Sequence, residues 1–205
     1  MYELKAENIS KRFGPRKVFS KINFDLTTGQ SLAVVGPNGS GKSTLIKVLL
    51  SLLLPTKGKV SFLRDNKPMN ESETRHAVSF VSPYLNLYDQ LTAEENLKFF
   101  ATVAGDNVTG KEINALLAKV GLEGRGADYV AGYSSGMKQR LKYAVALLNH
   151  PSFLFFDEPT SNLDEAGKKI VSDIIEDYRK KSIIIIATNE KEEYGFAEQL
   201  CRVDE

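Results

Sequence analysis

Gly36-Pro37-Asn38-Gly39-Ser40-Gly41-Lys42-Ser43-Thr44 stands between the apolar run Ser31-Leu32-Ala33-Val34-Val35 and the run Leu45-Ile46-Lys47-Val48-Leu49-Leu50. The order is strand, glycine-rich turn, helix, and the turn fits G-x-x-x-x-G-K-[ST] at every fixed position. Its glycines can take backbone conformations that a side chain would forbid, so the loop can curl with its N–H groups turned inward onto phosphate. A helix starting near Lys42 adds the partial positive charge of its N-terminus. Lys42 then sets an ammonium beside the β- and γ-phosphates of a nucleoside triphosphate such as ATP, and the Ser43 hydroxyl is placed to ligate the accompanying magnesium. The reading is a P-loop with its residues 36–44 around the phosphates.

Outward from that loop, composition bounds the rest. At 205 residues the chain can bury one sizeable core, or one core with a small inserted subdomain. Charged residues make up 26% and apolar ones 42%, an ordinary globular composition. With 27 Lys+Arg against 26 Asp+Glu, charge makes no case for nucleic acid as a partner. Cys201 is the only cysteine, which excludes an internal disulfide and any cysteine-clustered metal site, and fits a reducing compartment. No basic leader followed by an apolar core opens the chain. The longest apolar runs, 48–54 and 183–187, fall far short of the roughly 20 residues that span a bilayer, so work at a membrane is expected from the cytoplasmic side through a partner.

Before the loop, residues 2–10 and 18–26 alternate apolar and polar, the period of half-buried strands, and predict an antiparallel sheet at the front. Lys11-Arg12-Phe13-Gly14-Pro15-Arg16-Lys17 reads as a basic turn between them. Phe13 there is either a stacking platform for an adenine ring or a staple for the sheet edge. After the loop helix, residues 59–63 read as a strand and 77–81 as a buried strand of a parallel sheet. Residues 82–130 carry no strand signal. Thr92 with Glu95 forms a capping box opening a helix that ends near Ala104, and Ile113, Leu116, Leu117 and Val120 repeat at helical spacing. The segment reads as an inserted helical subdomain.

Two further motifs follow. Tyr133-Ser134-Ser135-Gly136-Met137-Lys138-Gln139-Arg140 is a polar turn heading a helix over 137–149. It is a second place where an anion could bind, yet the chain holds no second triphosphate loop to match it. Either it serves the loop of another copy, or it only caps its helix. Phe153-Leu154-Phe155-Phe156-Asp157-Glu158 is an apolar strand ending in two carboxylates. Such strands are buried on both faces, and open α/β sheets place their chemistry at these C-terminal ends. Asp157 suits holding magnesium, and Glu158 suits taking or orienting a proton of an attacking water. Residues 164–178 give an amphipathic helix after Ser161-Asn162-Leu163-Asp164, and 182–188 a second apolar strand ending at Asn189. Apolar strands alternating with helices predict a parallel sheet covered on both faces. His76 and His150 lie outside every motif and are expected at the surface.

In order and spacing, the P-loop, the turn 133–140, Asp157-Glu158-Pro159-Thr160 and Ser161-Asn162-Leu163-Asp164 make the whole chain resemble the nucleotide-binding subunits of ATP-binding-cassette (ABC) transporters. The resemblance implies an α/β P-loop NTPase core with a parallel sheet, an N-terminal antiparallel β subdomain and an inserted α-helical subdomain. Residues 1–82 and 131–205 would form the core, and residues 83–130 the helical subdomain. It also implies an ATPase using ATP and magnesium, with transmembrane permease subunits and a second ATP-binding subunit as partners. In a head-to-tail pair, Ser134 and Gly136 of one subunit would close over the ATP held by the other's P-loop, and hydrolysis would release the pair. Phe13 occupies the family's adenine-stacking position.

Several positions depart from the family pattern. The Leu-Ser-Gly-Gly-Gln signature is Tyr133-Ser134-Ser135-Gly136-Met137 here. Pro83 stands where the Q-loop glutamine is expected, and Asn189 where a histidine follows the last core strand. Asparagine can still donate a hydrogen bond but cannot carry positive charge or shuttle a proton. A slow ATPase is therefore expected. The competing readings are a soluble member of the same superfamily and a nucleotide-sensing subunit that binds ATP with little turnover.

Overall fold

The computed structural model describes residues 1–82 and 85–203, so the Q-loop position at Pro83 lies outside the described residues. Strands β1 (Tyr2–Phe13) and β2 (Arg16–Thr27) pair antiparallel, with Phe13 opposite Arg16. The expected basic turn over 11–17 is thus mostly strand, and only Gly14 and Pro15 make the turn. Cross-strand pairing extends the hairpin beyond the apolar alternation that sequence patterning detects. β3 (Ser31–Val35) is buried throughout and leads through the glycine-rich loop into α1 (Lys42–Leu49). β4 (Lys57–Arg64) pairs with β1, and the two-residue β5 (Lys67–Pro68) closes a sheet of order β2-β1-β4-β5.

The short helix α2 (Glu71–Ala77) buries no residue and stands on a capping box between Asn70 and Glu73, so it offers no apolar period to read. β6 (Val78–Val81) follows. It was expected to be buried, but it is the edge strand of the parallel sheet, and only Val81 is fully covered. α3 (Ala93–Ala104) starts on the predicted Thr92–Glu95 box and ends at left-handed Gly105. α4 (Gly110–Lys119) starts on a second box, Thr109–Glu112. α5 (Ser135–Leu147) begins two residues before the expected Met137, because Ser134 itself is the N-cap and accepts the Met137 N–H.

β7 (Phe153–Asp157), α6 (Glu165–Arg179, capped by Asp164), β8 (Ile183–Thr188), a 3₁₀ segment (Lys191–Phe196) and β9 (Gln199–Arg202) complete the chain. The second sheet runs β6-β7-β8-β3-β9 with every pairing parallel. Side chains alternate along its central strands. Leu154, Phe156, Ile184 and Ile186 pack with α3 to α6, while Phe153, Phe155, Ile183 and Ile185 pack with α1 and the antiparallel sheet. The α/β P-loop architecture read from the sequence is therefore present, with one apolar core on each face of the parallel sheet. Among the described residues no helix is long and apolar enough to cross a membrane.

Candidate functional site

The C-terminal edge of the parallel sheet gathers the motif residues. At Gly41 the backbone is left-handed (φ 114°), and a Cβ would sit 2.3 Å from Cγ1 of Val18 in β2, so glycine is required on two counts. Gly41 caps α1 without a side-chain bond, which leaves the first helical N–H groups open towards the loop. Lys42 is only 5% exposed, and its Nζ donates to the carbonyls of Gly36 (2.9 Å) and Pro37 (3.2 Å). The loop thereby folds over its own ammonium. Ser40 Oγ is buried without a hydrogen-bond partner, an orphaned polar atom that fits a ligand oxygen. Pro37, Asn38 and Gly39 are exposed at the rim, and Ser43 and Thr44 are half-buried.

Asp157 ends β7 opposite Ala187 and is 4% exposed. Burial raises its carboxyl above the usual range, while a hydrogen bond from Ser43 and the charges of Lys42 and Lys47 hold it down. The hydroxyl of Ser43 and the carboxylate of Asp157 are thus adjacent hard oxygen donors, the set a magnesium ion takes alongside phosphate and water. Among the described residues no group of three or more His, Cys, Asp or Glu could hold a metal.

Glu158 leaves the strand with φ 52°, and its N–H donates to the Ala187 carbonyl at 2.8 Å. Asn38, Glu158 and Asn189 line one cleft of about 730 Å³ together with Ser161, Asn162 and Lys168. Of the loop 36–44 only Asn38 lines it, and Lys42, Ser43, Asp157, Ser134, Gly136 and Phe13 do not. Phe13 projects at the end of β1, 51% exposed, with Lys11 Nζ 5.0 Å from its ring centre. Ser134 is exposed and occupied as the cap of α5, and a Cβ at Gly136 would lie 3.7 Å from the Asn162 carbonyl. A second cavity of about 770 Å³, between the antiparallel sheet and β6, contains none of the motif residues.

No motif or periodicity marks Glu193. It sits in the charged run Glu190-Lys191-Glu192-Glu193, which reads as a solvated face, yet it is 3% exposed and accepts the Thr160 N–H at 3.0 Å and the Thr160 hydroxyl.

Comparison with known proteins decides the family. The family model described as ABC transporter matches residues 19–161, which includes the P-loop, the turn 133–140 and Asp157-Glu158. The chain belongs to the ABC transporter family. It is an ATP-binding ATPase subunit of that family. Among its curated relatives, the lantibiotic transport ATP-binding protein SrtF of Streptococcus pyogenes is 35% identical over 91% of this chain and 79% of its own length. The bacitracin transport ATP-binding protein BcrA of Bacillus licheniformis is 34% identical over 89% of this chain, which spans 60% of that relative. Among solved structures, an ATP-binding subunit of an ABC transporter superposes with TM-score 0.83 at 25% identity, covering 97% of this chain and 85% of that one. A dimeric ATP-binding cassette in a post-hydrolysis state, bound to ADP and Pi, superposes with TM-score 0.82 at 25% identity over 97% of this ABC subunit and 93% of that chain. The matched residues of this ABC subunit begin after Phe13 and stop before Asn189.

Proposed function

We propose that the cleft at the C-terminal edge of the parallel sheet binds ATP with magnesium and hydrolyses it through Lys42, Glu158 and Asn189. The observation that carries this is the buried Lys42 ammonium folded under the loop and set electrostatically against Asp157, with Glu158 opening into the cleft beside it. The N–H groups of residues 36–44 and the Lys42 ammonium receive the phosphates, and Phe13 takes the adenine face. Ser43 and Asp157 hold the magnesium, which when bound neutralises charge on the phosphates. Glu158 accepts a proton from the attacking water. Asn189 donates a hydrogen bond to a phosphate oxygen, but it cannot carry a proton onward as histidine would.

Ser134 is exposed and the chain holds no second glycine-rich phosphate loop to match its turn, which supports its serving, with Gly136, the ATP of a second subunit joined head to tail. Relatives named for lantibiotic and bacitracin transport favour a transport role over a soluble one. The subunit then drives a transmembrane permease from the cytoplasmic face of a membrane, and cargo choice belongs to that permease. Asn189 together with Pro83, which brings no backbone N–H, favours slow turnover, and in the limit a subunit that senses ATP.

Two variants test the assignment. Lys42→Ala should weaken binding of labelled ATP about tenfold to a hundredfold, the loss of one charge-assisted contact. Glu158→Gln should bind ATP normally and lower kcat about 10²- to 10⁴-fold, the usual share of a general base. Unchanged affinity in the first variant would remove Lys42 from the site. Unchanged turnover in the second would leave nucleotide sensing as the function.

A further inference from the structure

Residues 158–164 leave β7 in a turn that holds two non-glycine residues in left-handed conformation, Glu158 (φ 52°) and Asn162 (φ 61°). Such conformations cost on the order of 1 kcal/mol or more each and persist only where the surroundings over-determine them. Here three successive residues are tied to three different elements. Glu158 donates its N–H to Ala187 of β8. The Pro159 carbonyl accepts the hydroxyl of Tyr143 from α5. Thr160 donates its N–H, at 3.0 Å, and its hydroxyl to Oε1 of Glu193, in the 3₁₀ segment that follows Asn189.

This last tie is chemically expensive. Glu193 is 3% exposed, and its second oxygen, Oε2, is buried with no partner. A buried carboxylate satisfied on one side costs stability that bonds to a single threonine only partly offset. Tyr143 adds to the polarity of the place. Burial, and then the negative charge of Glu193, push its hydroxyl well above the usual tyrosine range, so it remains a donor to Pro159. A Cβ added at Gly136 would lie 3.7 Å from the Asn162 carbonyl oxygen, so α5 also runs close to the far end of the turn. The turn bearing Glu158 is therefore clamped between α5 and the segment bearing Asn189.

We propose that Glu193 is a positioning residue for ATP hydrolysis: through Thr160 it fixes the turn 158–164 against the segment that carries Asn189 and so sets where the Glu158 carboxylate lies in the cleft. The proposal rests on the reading of that cleft as the ATPase site. Loss of the Glu193 tie frees one of the turn's three anchors and lets Glu158 drift, and a displacement of about 1 Å at a reacting group can cost as much as 10²-fold in rate. The P-loop and Asp157 are anchored separately, so ATP affinity stays.

The test measures steady-state ATP hydrolysis and equilibrium binding of a labelled non-hydrolysable ATP analogue on the full chain. Glu193→Ala and Thr160→Val should each lower kcat about tenfold with analogue affinity within about twofold of the original. The double variant should be no slower than the slower single one, because both remove the same contact. Glu193→Gln keeps an oxygen acceptor for Thr160 and should recover kcat to within about threefold. Thr160→Val preserves side-chain shape, so the question stays answerable if Glu193→Ala fails to fold. The proposal is overturned by original turnover in Thr160→Val, by losses that multiply in the double variant, by affinity falling in step with kcat, or by Glu193→Gln being as slow as Glu193→Ala. If the unaltered chain neither binds nor hydrolyses ATP, it is the reading of the cleft that fails. If it does both and the variants match it, only the role of Glu193 falls.

Discussion

Burial disfavours the ionised form of Asp157, and Ser43, Lys42 and Lys47 offset part of that cost. Its folded pKa lies above its unfolded one, so the folded state binds the proton more readily and stability falls as pH rises from the unfolded to the folded value. Asp157→Asn should therefore raise the Tm of the nucleotide-free protein at pH 7. The gain should shrink and vanish as pH drops below the ordinary aspartate range. A lower Tm at pH 7, or a gain independent of pH, would contradict this account of the site. That Lys42, Ser43 and Asp157 come together at the end of the parallel sheet was legible because motifs of those residue types stand at fixed places after apolar strands. Glu193 was not, because its partner Thr160 is 33 positions away and only the fold joins them.

Elements follow the same division. The box at Thr92 announced α3 because Thr, Glu and an apolar run stood in the right order. The box at Thr109 escaped notice because Gly110 follows the cap. α2, β5 and β9 are short, and α2 has no buried face, so periodicity had nothing to detect. Removing the cap with Thr92→Ala should cost about 1 kcal/mol, lowering Tm by about 2–4 °C at this length. Gly58→Ala should cost more. Gly58 has φ +88°, and its added Cβ would lie 2.4 Å from the Glu7 carbonyl oxygen and 2.5 Å from Asn8 backbone atoms, where β1 breaks register against β4. Thermal melts of the two variants side by side check that order.

For the whole molecule, a parallel sheet and the alternation of apolar strands with helices could be read from the chain, since buried parallel strands are apolar on both faces, but the order of its strands could not. The edge position of β6 could not, because a four-residue apolar strand looks the same at the centre and at the margin. The separation of Ser134 from the cleft belongs to this scale too. Sedimentation of Glu158→Gln should show a dimer with ATP and a monomer without it. Adding Ser134→Arg, which sets a long cation at the exposed cap, should leave ATP binding intact and abolish the dimer. A dimer that survives this change would place the contact elsewhere.

The alternating side chains of β7 and β8 have a thermodynamic consequence. Phe153 and Phe155 belong to one core, and Leu154 and Phe156 to the other, on a single backbone. Neither core can come apart without pulling the strand that completes its neighbour, so the front sheet and the helical layer should melt in one calorimetric transition. Cooperativity in this protein is a property of two strands rather than of an interface between halves.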